Sequence, residues 1–204
     1  MFFLLLLALI VILLVFSKAK TKKKPAPDLS FLPDKFIVFD LETTGLSPYD
    51  NEIIEIGAIK VNRHSIHHDA YQQLIKPIHN IPARITQING ITQAMADQDG
   101  KVISEALPEF IAFIEDYRLV AFNADFDMGF IKEAAKAQGY RITNKHSCAL
   151  KMARKAWPGL DSYKLENLAK MAGLSIAGNH RALKDCELAT TVYMSAAAKL
   201  KSIS

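Results

Sequence analysis

Cysteine is nearly missing from this chain of 204 residues: Cys148 and Cys186 are the whole supply, and neither belongs to a CxxC pair. That excludes a disulfide-built scaffold and a zinc site of thiolate spacing, and leaves two reduced, buried thiols as the plain reading. A basic excess is also missing from most of the chain. The formal net charge is +4, but residues 1–24 hold five lysines and no acid, so the rest carries 20 basic side chains against 21 acidic ones. Such a body does not attract a polyanion by its overall field; local patches or bound cations have to supply the positive charge. No internal repeat is present. Half of the residues are apolar, and the length suits one well-cored domain with an appendage.

The appendage is at the N-terminus. Phe2 to Phe16, FFLLLLALIVILLVF, is unbroken apolar sequence, followed by SKAKTKKK and then PAPD. It lacks the positive charge before the run and the small-x-small site after it that mark a cleaved signal. From Met1 the run makes about 24 Å of helix at about 1.5 Å per residue, a little short of a hydrocarbon core of roughly 30 Å; snorkelling lysines or local thinning cover the gap. The lysines that follow hold the C-terminal side in the cytoplasm by the positive-inside rule. The expectation is a transmembrane anchor at residues 1–17, a basic, proline-containing linker at 18–33 with little means of packing, and one folded domain over 34–200. That domain is expected in the cytoplasm, anchored to the inner (plasma) membrane.

Within the domain, apolar runs and turn residues predict strands over 35–41, 51–62 and 65–77, with a turn around Asn62–His64. Helical patterns follow at 91–98 and 104–117, then a short strand at 118–123 and a helix from Ala124 closing at Gly139. Two more helices are expected at about 147–156 and 163–172, and a last one from about Arg181 to Lys199. Antiparallel strands first, then helix, strand and helix, describe an α/β domain with a mixed sheet flanked by helices.

The stretch FIVFDLETTG, Phe36–Gly45, runs a buried-looking strand into Asp40 and, two positions on, Glu42. Residues two apart on a strand share a face, and two close carboxylates repel unless a cation compensates; oxygen donors at this spacing suit Mg²⁺ or Mn²⁺. Taken alone, the pair fits a solvated strand end followed by a turn equally well. AFNADFDMGF supplies Asp125 and Asp127 in the first turn of a helix, where the dipole favours acids in any case. NHRALKDCELA sets His180 five positions before Asp185. In one continuous helix that offset separates them by about 140°, so His180 is expected in the loop ahead of the helix, with Gly178 and Asn179, bending over as a general base.

FDLETTG, NADFD and H-x4-D, in this order and at these intervals, resemble the three motifs of the DEDDh 3′→5′ exonucleases, above all the epsilon-type proofreading subunits of bacterial replicative polymerases and their stand-alone relatives. The resemblance covers about residues 34–200, and ITQINGIT is similar to a further family segment. It implies a ribonuclease H-like fold and two divalent metal ions, Mg²⁺ or Mn²⁺. Asp40, Glu42 and Asp185 would hold the first ion, Asp40 would bridge to the second, Asp127 would support the second directly or through water, and His180 would deprotonate the attacking water. It further implies that Thr43, Thr44 and Gly45 grip the terminal nucleotide, that Leu46 wedges against its base, and that Asn123 lies nearby. Two departures are visible: Phe122 and Asn89 stand where the family often has histidine, which puts base or sugar contacts in doubt but not the metal ligands.

The function implied is metal-dependent hydrolysis of nucleic acid from a free 3′ end, releasing 5′-mononucleotides, with single-stranded DNA favoured over RNA. A trimming exoribonuclease is the alternative within the same chemistry, because no motif reports on the 2′-OH; a catalytically silent nucleic-acid-binding module at the membrane is the alternative outside it. With AAAKLKSIS closing the last expected helix, a polymerase-binding tail is not expected, and no polymerase partner is evident. His64, His67, His68 and Asp69 read as solvated turn residues, Trp157 as packing, and Lys151, Arg154 and Lys155 as an exposed helix face.

Overall fold

Lys35–Thr43 forms the central strand β1, and its alternation builds two cores at once. Ile37, Phe39 and Leu41 point into one cluster with Phe110 and Ile131; Phe36 and Val38 point into the other with Cys186 and Tyr193. Each large apolar side chain so buried contributes roughly 1.5–3 kcal/mol. A computed structural model provides this architecture and describes residues 29–175 and 180–202. The expected anchor at 1–17 and the linker as far as residue 28 lie outside the described residues. Among the described residues, no helix is long and apolar enough to cross a membrane.

β2 (Ile53–Asn62) pairs antiparallel with β1, and β3 (Asp69–Leu74) antiparallel with β2. β4 (Leu119–Ala121) joins the other side of β1 in parallel, and β5 (His146–Cys148) continues in parallel, for a sheet order β3-β2-β1-β4-β5. The mixed sheet is as expected. Strand β5 is an addition; the expected third strand, 65–77, is shorter because Ser65 and His67 form a turn of their own.

Helices α1 (Ala83–Asn89), α2 (Gln93–Asp99) and α3 (Ile103–Ile114) fill the connection from β3 to β4. α1 stops at Gly90, whose φ of 74° suits glycine, and the Thr92 hydroxyl caps α2 by accepting from the Met95 N–H at 3.1 Å. α4 (Ala124–Ala137) follows β4 directly, and α5 (Ala149–Ala156) and α6 (Leu165–Met171) lead to the long α7 (Ala182–Lys201). α7 lies across β1 and β2 on the face that Phe36 and Val38 share. Leu29 and Leu32 pack on that face too, and Arg63 holds the carbonyls of Leu32 and Pro33, so ordered packing starts ahead of Asp34. Cys186 is buried and Cys148 half-buried, both as thiols, so the expectation of two buried thiols holds for one. Trp157 packs with Leu168 and Val192.

Candidate active site

Strand alternation turns Asp40 and Glu42 toward α7, and α7 answers with Asp185 in its first turn. One carboxylate oxygen from each of the three lies within 4.8 Å of the others. Asp127, in the first turn of α4, is only 3% exposed and accepts a hydrogen bond from the Leu41 N–H at 3.3 Å. That bond ties α4 to the backbone between the two β1 acids. The four acids expected from the sequence therefore converge at the carboxyl end of β1.

Burial dominates their electrostatics. It pushes Asp40 well above the usual carboxylate range, and the charges of Asp127, Asp185, Glu42 and Glu55 add to the rise. Glu42 is raised to about 7 by burial, against the pull of the Asn89 hydrogen bond. Asp127 is also pushed up to about 7 by burial, opposed by hydrogen bonds from its own N–H and that of Leu41. Asp185 is raised, again by burial first, with His180 drawing it back. Buried carboxylates that raise one another's proton affinity are relieved by a divalent cation, and an all-oxygen donor set of this spacing fits Mg²⁺ or Mn²⁺.

His180 stands ahead of α7, as expected, in the left-handed conformation with φ 61°, which is uncommon outside glycine. Its N–H faces both Asp185 oxygens at 3.3 and 3.4 Å, and its imidazole Nε2 lies 3.1 Å from Glu166 Oε1 on α6. Gly178 and Asn179, expected to shape this loop, lie outside the described residues.

The loop after Glu42 is fixed by its own hydrogen bonds. The Thr43 hydroxyl donates to the Gly45 carbonyl at 2.6 Å, and the Thr44 hydroxyl accepts from the Glu52 N–H at 2.9 Å. A Cβ on Gly45 would press on the Asn51 side chain, whose oxygen already accepts from the Ser47 N–H. Leu46 stands 85% exposed at the rim. Asn123 is the exposed N-cap of α4, and its side chain makes no cap hydrogen bond. Away from this site, Lys151 pairs with Asp125, and His64 pairs with Asp34.

Asn89, noted in the sequence only as a departure from the family's histidine, has a part in the site, and two further residues, Glu166 and Glu55, escaped the sequence reading. Asn89 donates from Nδ2 to Glu42 Oε2 at 3.0 Å, Glu166 meets His180, and Glu55 binds Arg181. Only Glu55 carried a usable signal: a charge inside the apolar run IIEIGAI requires a buried partner.

Comparison with known proteins agrees with this geometry. Residues 37–193 match the exonuclease family RNase_T. The chain is 37% identical over 172 residues to the PolC-type DNA polymerase III of Caldanaerobacter subterraneus, covering 84% of this chain but only 12% of that polymerase. It is 36% identical to the DNA polymerase III epsilon subunit of Aquifex aeolicus, covering 81% of each. Among solved structures, Escherichia coli exonuclease I bound to single-stranded DNA superposes with a TM-score of 0.71 at 19% identity, covering 84% of this chain and 42% of that one. Exonuclease X in complex with 5′-overhanging duplex DNA gives 0.62 at 26%, covering 79% and 90%.

Proposed function

Because this chain belongs to the RNase_T exonuclease family, we propose that it removes 5′-mononucleotides from the 3′ end of single-stranded DNA. The observation that carries the reading is the convergence of Asp40, Glu42 and Asp185, with buried Asp127 nearby, at the strand end that runs into the Thr43–Leu46 loop. The family works with two divalent metal ions, and the oxygen donors present suit them: Asp40, Glu42 and Asp185 would hold one, and Asp127, buried and tied to the Leu41 N–H, would support the other with Asp40. When bound, such ions acidify water and stabilise the charge that builds on the phosphate and on the departing 3′-oxygen.

The remaining chemistry belongs to the side chains. His180 takes a proton from the water whose oxygen attacks phosphorus; the bond from phosphorus to the penultimate 3′-oxygen breaks, and that oxygen is protonated from solvent. Asp127 is held at the strand end by the Leu41 N–H. Thr43, Thr44 and Gly45 present a rigid backbone edge to the terminal nucleotide, Leu46 packs on its base, and Asn123 flanks it. Rigid placement of this kind converts binding into rate by pre-orienting the scissile bond.

The choice of DNA is supported by the DNA-bound forms of exonucleases I and X, and that of a single strand by the exonuclease I complex alone, since exonuclease X is bound to 5′-overhanging duplex. The Phe2–Phe16 run supports a further part of the reading: residues 1–17 tether the enzyme to the inner membrane with the catalytic domain in the cytoplasm. The test uses the full chain in mild detergent with Mn²⁺ or Mg²⁺ and matched 5′-labelled DNA and RNA strands, single and double. A ladder on single-stranded DNA with released 5′-mononucleotides, stopped by EDTA, is the expected result. Faster loss of RNA assigns the enzyme to RNA trimming instead, and intact strands of every kind refute the nuclease. Alkaline carbonate extraction tests the tether, which predicts that the protein stays with the membranes.

A further inference from the structure

Glu55 is a carboxylate with no exposed surface in the middle of an apolar strand. It accepts from four donors: Arg181 Nη2 at 2.6 Å, Arg181 Nε at 3.1 and 3.2 Å, the Ala182 N–H at 2.9 Å and Gln72 Nε2 at 2.9 Å. In the β1–β2 register Glu55 lies directly opposite Glu42. Like charges so placed repel, yet the two acids receive different partners. Glu55 takes a bidentate guanidinium, whereas Glu42 takes the amide of Asn89. The strand pair thereby sorts adjacent carboxylates into one committed to the protein and one directed at a cation.

The donors to Glu55 include Arg181 and Ala182, which stand between His180 and Asp185. Ala182 opens α7, and the helix start is pressed onto β2 so closely that a Cβ on Gly57 would lie 2.5 Å from the Ala182 carbonyl carbon. Cys186 reinforces the same seat, its thiol 3.3 Å from the Gly57 carbonyl. β2 therefore seats the start of α7, and Glu55 is the charged member of that contact.

We propose that Glu55, acting through Arg181 and the Ala182 N–H, is the positioning residue that sets where His180 and Asp185 stand relative to Asp40 and Glu42. Its chemical consequence rests on the exonuclease reading above; its geometric consequence, the shape of the metal-binding set, does not. Glu55 leaves the Thr43–Leu46 grip untouched, so its loss acts on turnover and metal binding rather than on substrate affinity.

The experiment compares the full chain with Glu55→Gln, Arg181→Gln and the double variant. Mn²⁺ binding is measured by electron paramagnetic resonance, kcat and KM on single-stranded DNA, and thermal unfolding alongside. Glu55→Gln is expected to weaken Mn²⁺ binding and to lower kcat, each by about 10- to 100-fold, as loss of a ligand-orienting partner does. KM should stay within about twofold, and the double variant should lose no more than the worse single one, because the pair acts as a unit. Glu55→Asp, which keeps the charge, should recover part of the loss and serves if Glu55→Gln fails to fold. Ile114→Ala, in the α3 core, supplies a control of comparable destabilisation that keeps kcat and Mn²⁺ affinity. Wild-type Mn²⁺ affinity in Glu55→Gln overturns the proposal, as does a loss that Ile114→Ala reproduces. A wild type that binds Mn²⁺ yet cuts nothing sinks the nuclease reading alone, and a weaker Mn²⁺ site in Glu55→Gln then still supports the positioning role.

Discussion

Asn89 decides how Glu42 is aimed. Its Oδ1 accepts from the Ile91 N–H at 3.0 Å, which leaves Nδ2 as the group that donates to Glu42. Asn89→Asp keeps the first bond and turns the second into a repulsion, so Mn²⁺ binding should weaken by about tenfold or more, as read by titration calorimetry. Asp40 carries the opposite lesson. Burial and four neighbouring acids raise its proton affinity, so the side chain proposed to hold the metal ions also strains the metal-free fold. Asp40→Asn should abolish degradation and raise the unfolding temperature in EDTA at pH 8; a lower unfolding temperature contradicts this account. His180→Ala should slow single-turnover cleavage by about 10²- to 10⁴-fold, the usual span for a lost general base.

At the scale of elements, the seat of α7 on β2 is the contact with least tolerance. Gly57→Ala places a methyl against the Ala182 and Leu183 backbone, which cannot rotate aside as a side chain could. The expected cost is about 1–3 kcal/mol in denaturant unfolding, with a parallel loss of Mn²⁺ affinity as Asp185 is displaced. Much of this level was legible beforehand. β1, β2, α3, α4 and α7 showed clear apolar periods, and the three motifs brought Asp40, Glu42, Asp127, His180 and Asp185 to notice. β5 was not legible, because His146, Ser147 and Cys148 form a strand only by pairing with β4 and have no alternation to read. α1 was missed for a similar reason: its only buried residue is polar, Asn89, so it has no apolar stripe. The bond from Asn89 to Glu42 spans 47 positions, and that from Arg181 to Glu55 spans 126; no local pattern encodes either.

For the molecule as a whole, the raised acids set the pH dependence. An acid whose folded pKa exceeds its unfolded value holds its proton more tightly when folded, so stability falls as pH climbs from the unfolded value through the folded one. For Glu42 and Asp127 that window runs from about 4 to about 7. Asp34, Glu52 and Asp125 are lowered instead, and their contribution is lost only in stronger acid. In EDTA the unfolding temperature should therefore decline between pH 5 and pH 8, and excess Mn²⁺ should restore it most at the alkaline end, since cations bind the deprotonated site. A temperature that rises with pH in EDTA would falsify this ordering. The topology carries a last consequence. Asp40 lies on the central strand and Asp185 on α7, 145 positions apart, so the ribosome delivers one half of the cation pocket long before the other. A nascent chain halted before Ala182 has Asp40, Glu42 and Asp127 but neither Asp185 nor the helix that carries it, so under the proposed function the cutting of nucleic acid waits until α7 has docked.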